Sequence, residues 1–228
     1  MFFPLKDDNP TSSFPLVTIG LILTNVLIFF HQISMGLEES QRFIFQWGAI
    51  PYQIIHGEWL YDLSSSIPIR FTIFSSMFLH GGFLHLFGNM LYLWIFGNNI
   101  EDTLGHFRFL VFYLLCGLVA AMTQVLSIPN STVPMIGASG AVAGILGGYL
   151  LLFPHARVLT LMFIFFFIRL VRLPAVIVLG FWFFVQLLSV SARAESNVAF
   201  FAHIGGFVVG LILVKAFQPG RLRGKRRY

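Results

Sequence analysis

The sequence predicts an all-α, polytopic membrane protein: a bundle of six transmembrane helices, with a segment lying in the membrane interface between the first and second spans. Three observations predict it. Of the 228 residues, 57% are hydrophobic and 17% aromatic, while only 10% are charged, against about 25% charged in an ordinary soluble domain. Apolar runs of bilayer-spanning length recur along the chain. The 14 lysines and arginines are unevenly distributed between those runs, as the positive-inside rule requires. So few polar groups cannot cover a water-facing surface, which excludes a soluble globular enzyme and a disordered chain. The single cysteine, Cys116, cannot form an intrachain disulfide.

The first span is read at Phe14–Phe30, after a short polar start holding Lys6, Asp7 and Asp8. It lacks a small-residue cleavage site and exceeds a signal-peptide core, so it is expected to stay in the mature chain. From Ser34 to Ser76, charged residues alternate with Trp47, Tyr52, Trp59 and Tyr61, a mixture suited to the interface. Further spans are read at Phe83–Gly97, Phe107–Leu126, Ala138–Phe153, Pro174–Leu188 and Val198–Phe217. The stretch Val158–Val171 is apolar but short and bounded by Arg157 and Arg172; it reads as a hairpin, a re-entrant segment or an extension of the fifth helix.

Six spans put both termini on one side. Eleven of the fourteen basic residues then share that side: Lys6, Arg108, Arg157, Arg169, Arg172, Lys215, Arg221, Arg223, Lys225, Arg226 and Arg227. Only Arg42, Arg70 and Arg193 fall opposite. The expected organisation is a short cytoplasmic N-terminus (1–13), a six-span body (14–217) and a basic cytoplasmic tail (218–228). The formal charge of +5 is concentrated in that tail, where it reads as a membrane-side anchor, and no nucleic-acid partner is expected. Oligomeric state is left open.

Polar and ionisable side chains inside spans mark functional sites. Three groups stand out: His80 to Asn89 entering the second span, Gly137-Ala138-Ser139-Gly140 opening the fourth, and Ala202-His203 early in the sixth. His85 and Asn89, four apart, project from one helix face about 40° apart, while His80 falls in the preceding loop. In the six-span topology the second, fourth and sixth spans run in one direction, so His85, Asn89, Ser139 and His203 share one depth in the outer part of the bilayer. A serine hydroxyl needs a neighbouring base to become a nucleophile, and histidine suits that task near neutral pH. Gly140, Gly144 and Gly148, with Gly147 beside them, and Gly206 with Gly210, form the small-residue faces that let helix backbones approach closely. Ser139 and His203 are thereby read as a candidate pair, with His85 and Asn89 as side-chain donors to an oxyanion beside the Ser139 backbone N–H.

These motifs resemble the rhomboid family of intramembrane serine proteases in a minimal six-span, bacterial-type form. The carriers are His80-x4-His85-x3-Asn89, Gly137-Ala138-Ser139-Gly140, Ala202-His203 followed by Gly206 and Gly210, and the Phe96–Asp102 stretch with Gly105. The resemblance implies that Ser139 is the nucleophile and His203 the general base of a dyad. It also implies that His85 and Asn89 stabilise the oxyanion, and that His80, Gly137, Gly140 and Gly206 shape the site. The implied substrates are transmembrane proteins cut near the outer face, in a bacterial inner membrane, with no metal or cofactor. Four residues after the serine, where many relatives carry an aromatic against the histidine, this chain has Ala143, so a nearby phenylalanine is expected to take its place. Phe181, Trp182, Phe183 and Phe184 are read as a lipid-facing gate, and the loop Ser191–Asn197 as a cap.

Two other function classes compete with this reading. A catalytically silent relative that binds and escorts membrane proteins is expected to lack the serine or the histidine, and both are present. A transporter is expected to carry an acid within a span, and none lies inside the spans as read.

Overall fold

The computed structural model describes residues 2–60, 67–164, 167–191 and 199–219. The basic cluster of the tail, Arg193 and the predicted cap lie outside the described residues, apart from Ser191 at the end of a helix. The body is helical. In chain order it contains strand β1 (Phe2–Asp7), helices α1 (Leu16–Ser34), α2 (Leu37–Trp47), α3 (Pro51–His56) and the single-turn α4 (Thr72–Ser75). There follow α5 (Phe83–Leu104), α6 (His106–Ser127), α7 (Ser139–Leu152), strands β2 (Arg157–Ile164) and β3 (Phe167–Pro174), α8 (Ala175–Ser191) and α9 (Phe200–Phe217).

Helices α1, α5, α6, α7, α8 and α9 occupy the six predicted spans. Three of them, α1, α6 and α9, are each long and apolar enough to cross a membrane. The segment Ile69–Phe78, bent by 82° from α5, meets the same measure together with it. α7 and α8 are shorter apolar helices, and the set is consistent with six crossings. The interfacial stretch breaks into α2, α3 and short turns, and α2 buries none of its residues.

Local chemistry sets the element ends. Gly105, at φ +81°, lets the chain leave α5 and start α6 without a loop, a conformation that an L side chain resists. Pro154 follows Phe153 and stops α7, because a proline disfavours helical geometry in the residue before it. The second span is longer than predicted: α5 runs past Gly97 to Leu104, so Glu101 and Asp102 lie in its last turns. Glu101 is fully buried and accepts from the Val17 and Thr18 backbone N–H groups, both at 2.8 Å, and from Thr18 Oγ1 at 2.6 Å. It thereby satisfies amides that the first turn of α1 leaves without intrahelical partners.

Two features go beyond the expected all-helical body. The Val158–Val171 segment resolves to its hairpin alternative, as the antiparallel strands β2 and β3. Residues Phe2–Asp7, predicted as part of the short polar N-terminus, instead add a third strand, giving the order β1-β2-β3 with a register shift between Pro4 and Lys6. The reason is alternation: Val158 and Thr160 both point inward and are fully buried, the period of a strand. Arg172 pairs with Asp8 at 3.1 Å. Phe2 packs on Phe181 of α8 and Phe3 on Phe87 of α5, with ring centroids 4.7 and 6.5 Å apart, so the strand bridges two helices that otherwise flank a cleft.

The core is the contact between α7 and α9, with α6 behind it. A Cβ placed on Gly206 would collide with the Gly140 carbonyl, one on Gly210 with the Gly144 carbonyl, and one on Gly147 with the Phe207 carbonyl. These are backbone-to-backbone contacts, made across the small-residue faces the sequence supplies.

Gly210→Val forces the helices apart and lowers stability by at least about 1–3 kcal/mol, read by thermal unfolding in detergent. Burial holds the Asp7 carboxyl above its ordinary range, against the opposing effect of the Tyr149 hydroxyl that donates to it at 2.7 Å. A folded-state pKa raised in this way gives stability that is complete at low pH and is lost as pH rises through it. Asp7→Asn, which keeps an acceptor for Tyr149, is expected to flatten that part of the stability–pH profile.

Candidate active site

The site is assembled where the first turns of α5, α7 and α9 meet. Ser139 opens α7, and the loop before it is tied down on both sides. Ala49 and Met135 exchange two backbone hydrogen bonds, at 2.8 and 3.1 Å, Tyr52 N–H donates to Ser131 O at 3.0 Å, and Gly137 N–H donates to Ser76 O at 2.8 Å. The connection between α6 and α7 is thus anchored on the α2–α4 segment, and Ser139 inherits its place from that anchorage.

His203 lies in the first turns of α9 and is 9% exposed. Its Nε2 is 2.8 Å from Ser139 Oγ and its Nδ1 is 2.8 Å from Gln186 Oε1 on α8. The ring is flanked by Trp182 and Phe200, with centroids 5.8 and 6.4 Å away. Trp182 therefore supplies the main aromatic neighbour; a tryptophan from α8, with Phe200 edge-on, stands where a phenylalanine alone was expected. Gln124 of α6 accepts from the Ala202 backbone N–H at 3.2 Å, bonding one of the free amides at the start of α9.

Opposite Ser139, α5 presents His85 and Asn89. The Gly81 N–H donates to His85 Nδ1 at 3.3 Å, so the ring proton sits on Nε2 and that edge is a donor. Asn89 Nδ2 donates to His85 O at 2.9 Å and keeps its second N–H. Gly137, at φ +118°, lies against both: a Cβ there would approach His85 Nε2 to 2.7 Å and Asn89 Nδ2 to 3.8 Å. His80 is fully buried and its ring lies 5.0 Å from that of His85. Its carbonyl accepts from Gln32 Nε2 of α1 at 2.8 Å, which fixes the turn preceding α5. Gly140 faces Ala120 and Gly206 faces Gly140, as close-packing positions.

Ser139, His203 and His85 together line two adjoining cavities. One, about 750 Å³, is also bounded by Gly81–Leu84, Ile136 and Ala199. The other, about 210 Å³, runs between α5 and α8, past Leu84, Gly88, Asn89, Tyr92 and Trp182. Chemically, this is a hydroxyl with an imidazole nitrogen in proton-transfer range and several N–H donors converging across a gap from it. His80, His85, Asn89, Gly137, Ser139, Gly140, His203 and Gly206 are all found in this neighbourhood, whereas the predicted cap beyond Ser191 lies outside the described residues. The sequence reading passed over the glutamines Gln32, Gln124 and Gln186, although a polar amide within an apolar span is itself the signal.

A polytopic helical membrane protein with a hydrogen-bonded serine and histidine at the meeting of three helices is what fold and site define. The chain belongs to the rhomboid family: that family's Rhomboid domain matches residues 70–219. Rhomboid protease GluP of Bacillus subtilis is 30% identical over 207 residues, covering 89% of this chain and 35% of that protein. Rhomboid protease AarA of Providencia stuartii is 32% identical over 145 residues, covering 57% and 48% respectively. The mitochondrial Rhomboid protein 1 of Saccharomyces cerevisiae is 36% identical over 101 residues, covering 42% and 29%. The chain spans less than half the length of each of these relatives.

Gly137→Ala tests the local geometry. The positive φ and the contact with His85 are expected to lower stability by about 1–3 kcal/mol, measured by thermal unfolding, and to displace the His85 ring.

Proposed function

We propose that this chain is an intramembrane serine endopeptidase that cleaves transmembrane proteins near the outer face of the bilayer. The observation that carries the reading is the 2.8 Å contact between Ser139 Oγ and His203 Nε2, made between residues distant in sequence inside an apolar body. In this mechanism His203 takes the hydroxyl proton as Ser139 attacks the scissile carbonyl, and passes it to the leaving amine. Water activated by the same imidazole then hydrolyses the acyl-enzyme and restores the pair. The Ser139 backbone N–H, His85 Nε2–H and the free N–H of Asn89 receive the oxyanion. The chemistry needs no metal or cofactor. Both polar partners of the dyad are present and bonded, which supports catalysis over an escort role.

A helical substrate hides its carbonyls in its own hydrogen bonds, so local unwinding precedes attack. Its access route is proposed along α8. Trp182 walls the smaller cavity, while Phe181 and Phe184 are 42% and 52% exposed and suit a lipid-facing gate. Phe183 is instead stacked on Phe207, centroids 4.4 Å apart, which suits a fixed anchor for the helix. The asymmetry of lysine and arginine supports placing both termini in the cytoplasm, and likeness to the bacterial rhomboid proteases GluP and AarA supports a bacterial inner membrane.

Ser139→Ala and His203→Ala, each in folded, purified protein, are expected to lower cleavage of a membrane substrate by about three orders of magnitude or more. Ser139→Ala is also expected to abolish labelling by a fluorophosphonate probe. Turnover near wild type in either variant rejects the dyad. Asn89→Ala is expected to reduce kcat by about 10²–10³ with a smaller change in KM, since its contact forms chiefly in the transition state. Unchanged cleavage by the Trp182→Val, Phe184→Val double variant discards the gate.

A further inference from the structure

We infer that Gln186 is the positioning residue for the base: a neutral third member that selects the tautomer of His203. The inference rests on the dyad reading above and adds a residue from a different helix.

Gln186 lies on α8 and is 7% exposed. A primary amide in so apolar a helix is unfavourable unless its groups are bonded, and here both ends are. Its Nε2 donates to the Trp182 carbonyl one turn earlier, at 3.4 Å. Its Oε1 is 2.8 Å from His203 Nδ1. These two contacts determine each other. A backbone carbonyl only accepts, so the amide must turn its NH2 towards Trp182. That leaves the amide oxygen facing the imidazole, and an oxygen that only accepts requires the proton on Nδ1. Turned the other way, the amide would set its oxygen against the Trp182 carbonyl, an acceptor against an acceptor.

With the proton held on Nδ1, the lone pair of the neutral ring is on Nε2, 2.8 Å from Ser139 Oγ. This is the tautomer a general base for serine requires, and it is the one that an orienting third group serves to hold. The flanking Trp182 and Phe200 rings set the plane of the imidazole, but an aromatic face cannot distinguish the two ring nitrogens. The amide can. An amide also suits the medium: a carboxylate in its place would stabilise the imidazolium more strongly, but would have to be desolvated within the bilayer. The other titratable groups lining the cavities with His203 are His85 and Tyr92, and no acidic side chain lines either one among the described residues.

The test uses the full chain, purified and reconstituted, with kcat, KM and the pH dependence of kcat/KM measured for a membrane substrate. Gln186→Leu removes the acceptor and is expected to lower kcat about 10–100-fold, the usual effect of losing a histidine's orienting partner, with KM little changed. Gln186→Glu restores an acceptor at the same reach. It is expected to recover kcat on the alkaline side and to move the acid limb of the profile to higher pH, because a carboxylate beside Nδ1–H favours the protonated ring. A group that merely packs α8 against α9 would not move that limb. Wild-type kcat in Gln186→Leu, or a Gln186→Glu variant that neither recovers turnover nor shifts the limb, overturns the inference. Should Gln186→Leu fail to fold, the Gln186→Glu variant decides alone: alkaline-side turnover kept near wild type with a shifted limb supports the role, and lost turnover or an unshifted limb rejects it. Ser139→Ala in the same series keeps the two readings apart, since activity in that variant rejects the dyad itself, while its inactivity beside unaffected Gln186 variants rejects only Gln186.

Discussion

The close approach of α7 and α9 is the constraint on which the rest of the structure depends. In lipid, helices gain little by hiding apolar side chains from one another, because the surroundings are equally apolar; association rests on packing and on interhelical hydrogen bonds. Here the packing is made by backbone. Gly206 and Gly210 leave room for the Gly140 and Gly144 carbonyls, and Gly147 for that of Phe207. Ser139 is one residue before the first of these contacts and His203 is three before Gly206. Their hydrogen bond therefore depends on that spacing between the helices, and a side chain at either glycine would clash with the facing carbonyl and push the two backbones apart.

The second theme is where polar groups appear in so apolar a body. Four of them are bonded across elements, at helix starts and turns. Glu101 binds the first amides of α1, Gln124 binds Ala202 at the start of α9, Gln32 holds the His80 turn, and Gln186 meets His203. A backbone or side-chain group without a partner is expensive away from water. These contacts both satisfy such groups and fix the relative depth of the elements. Ser139 and His203 thus sit in a frame tied together by these amide and carboxylate contacts, although the buried His80 ring nitrogens have no hydrogen-bond partner among the described residues, and the hydroxyl–imidazole pair lines the cavities.

The site also joins parts of the chain with different mechanical character. α7 and α9 are interlocked through backbone. α8, by contrast, exposes Phe181, Phe184, Leu187 and Leu188 on one side and reaches the site through Trp182 and Gln186. Strand β1 touches both α8 and α5 through Phe2 and Phe3, spanning the cleft between them.

Much of this was legible in the sequence, because it follows from composition and local spacing. Scarcity of charge required a membrane body. The positions of the apolar runs located six helices to within a turn or so, except for α5, whose apolar run stops before its helix does. Glycines at four-residue spacing marked the faces of α7 and α9, and histidine, serine and asparagine within apolar runs marked the site. What the tertiary structure decided concerns groups whose partners are remote. Phe2–Asp7 has no strand signal of its own and becomes a strand only because β2 offers it an edge. Glu101 reads as a connection residue until α1 brings its free amides to it. Gln186 is one amide in an apolar run, and its meaning comes from the nitrogen of His203 that it faces. Periodicity reports which face of an element is buried, but the partner across the gap is set by how the helices pack.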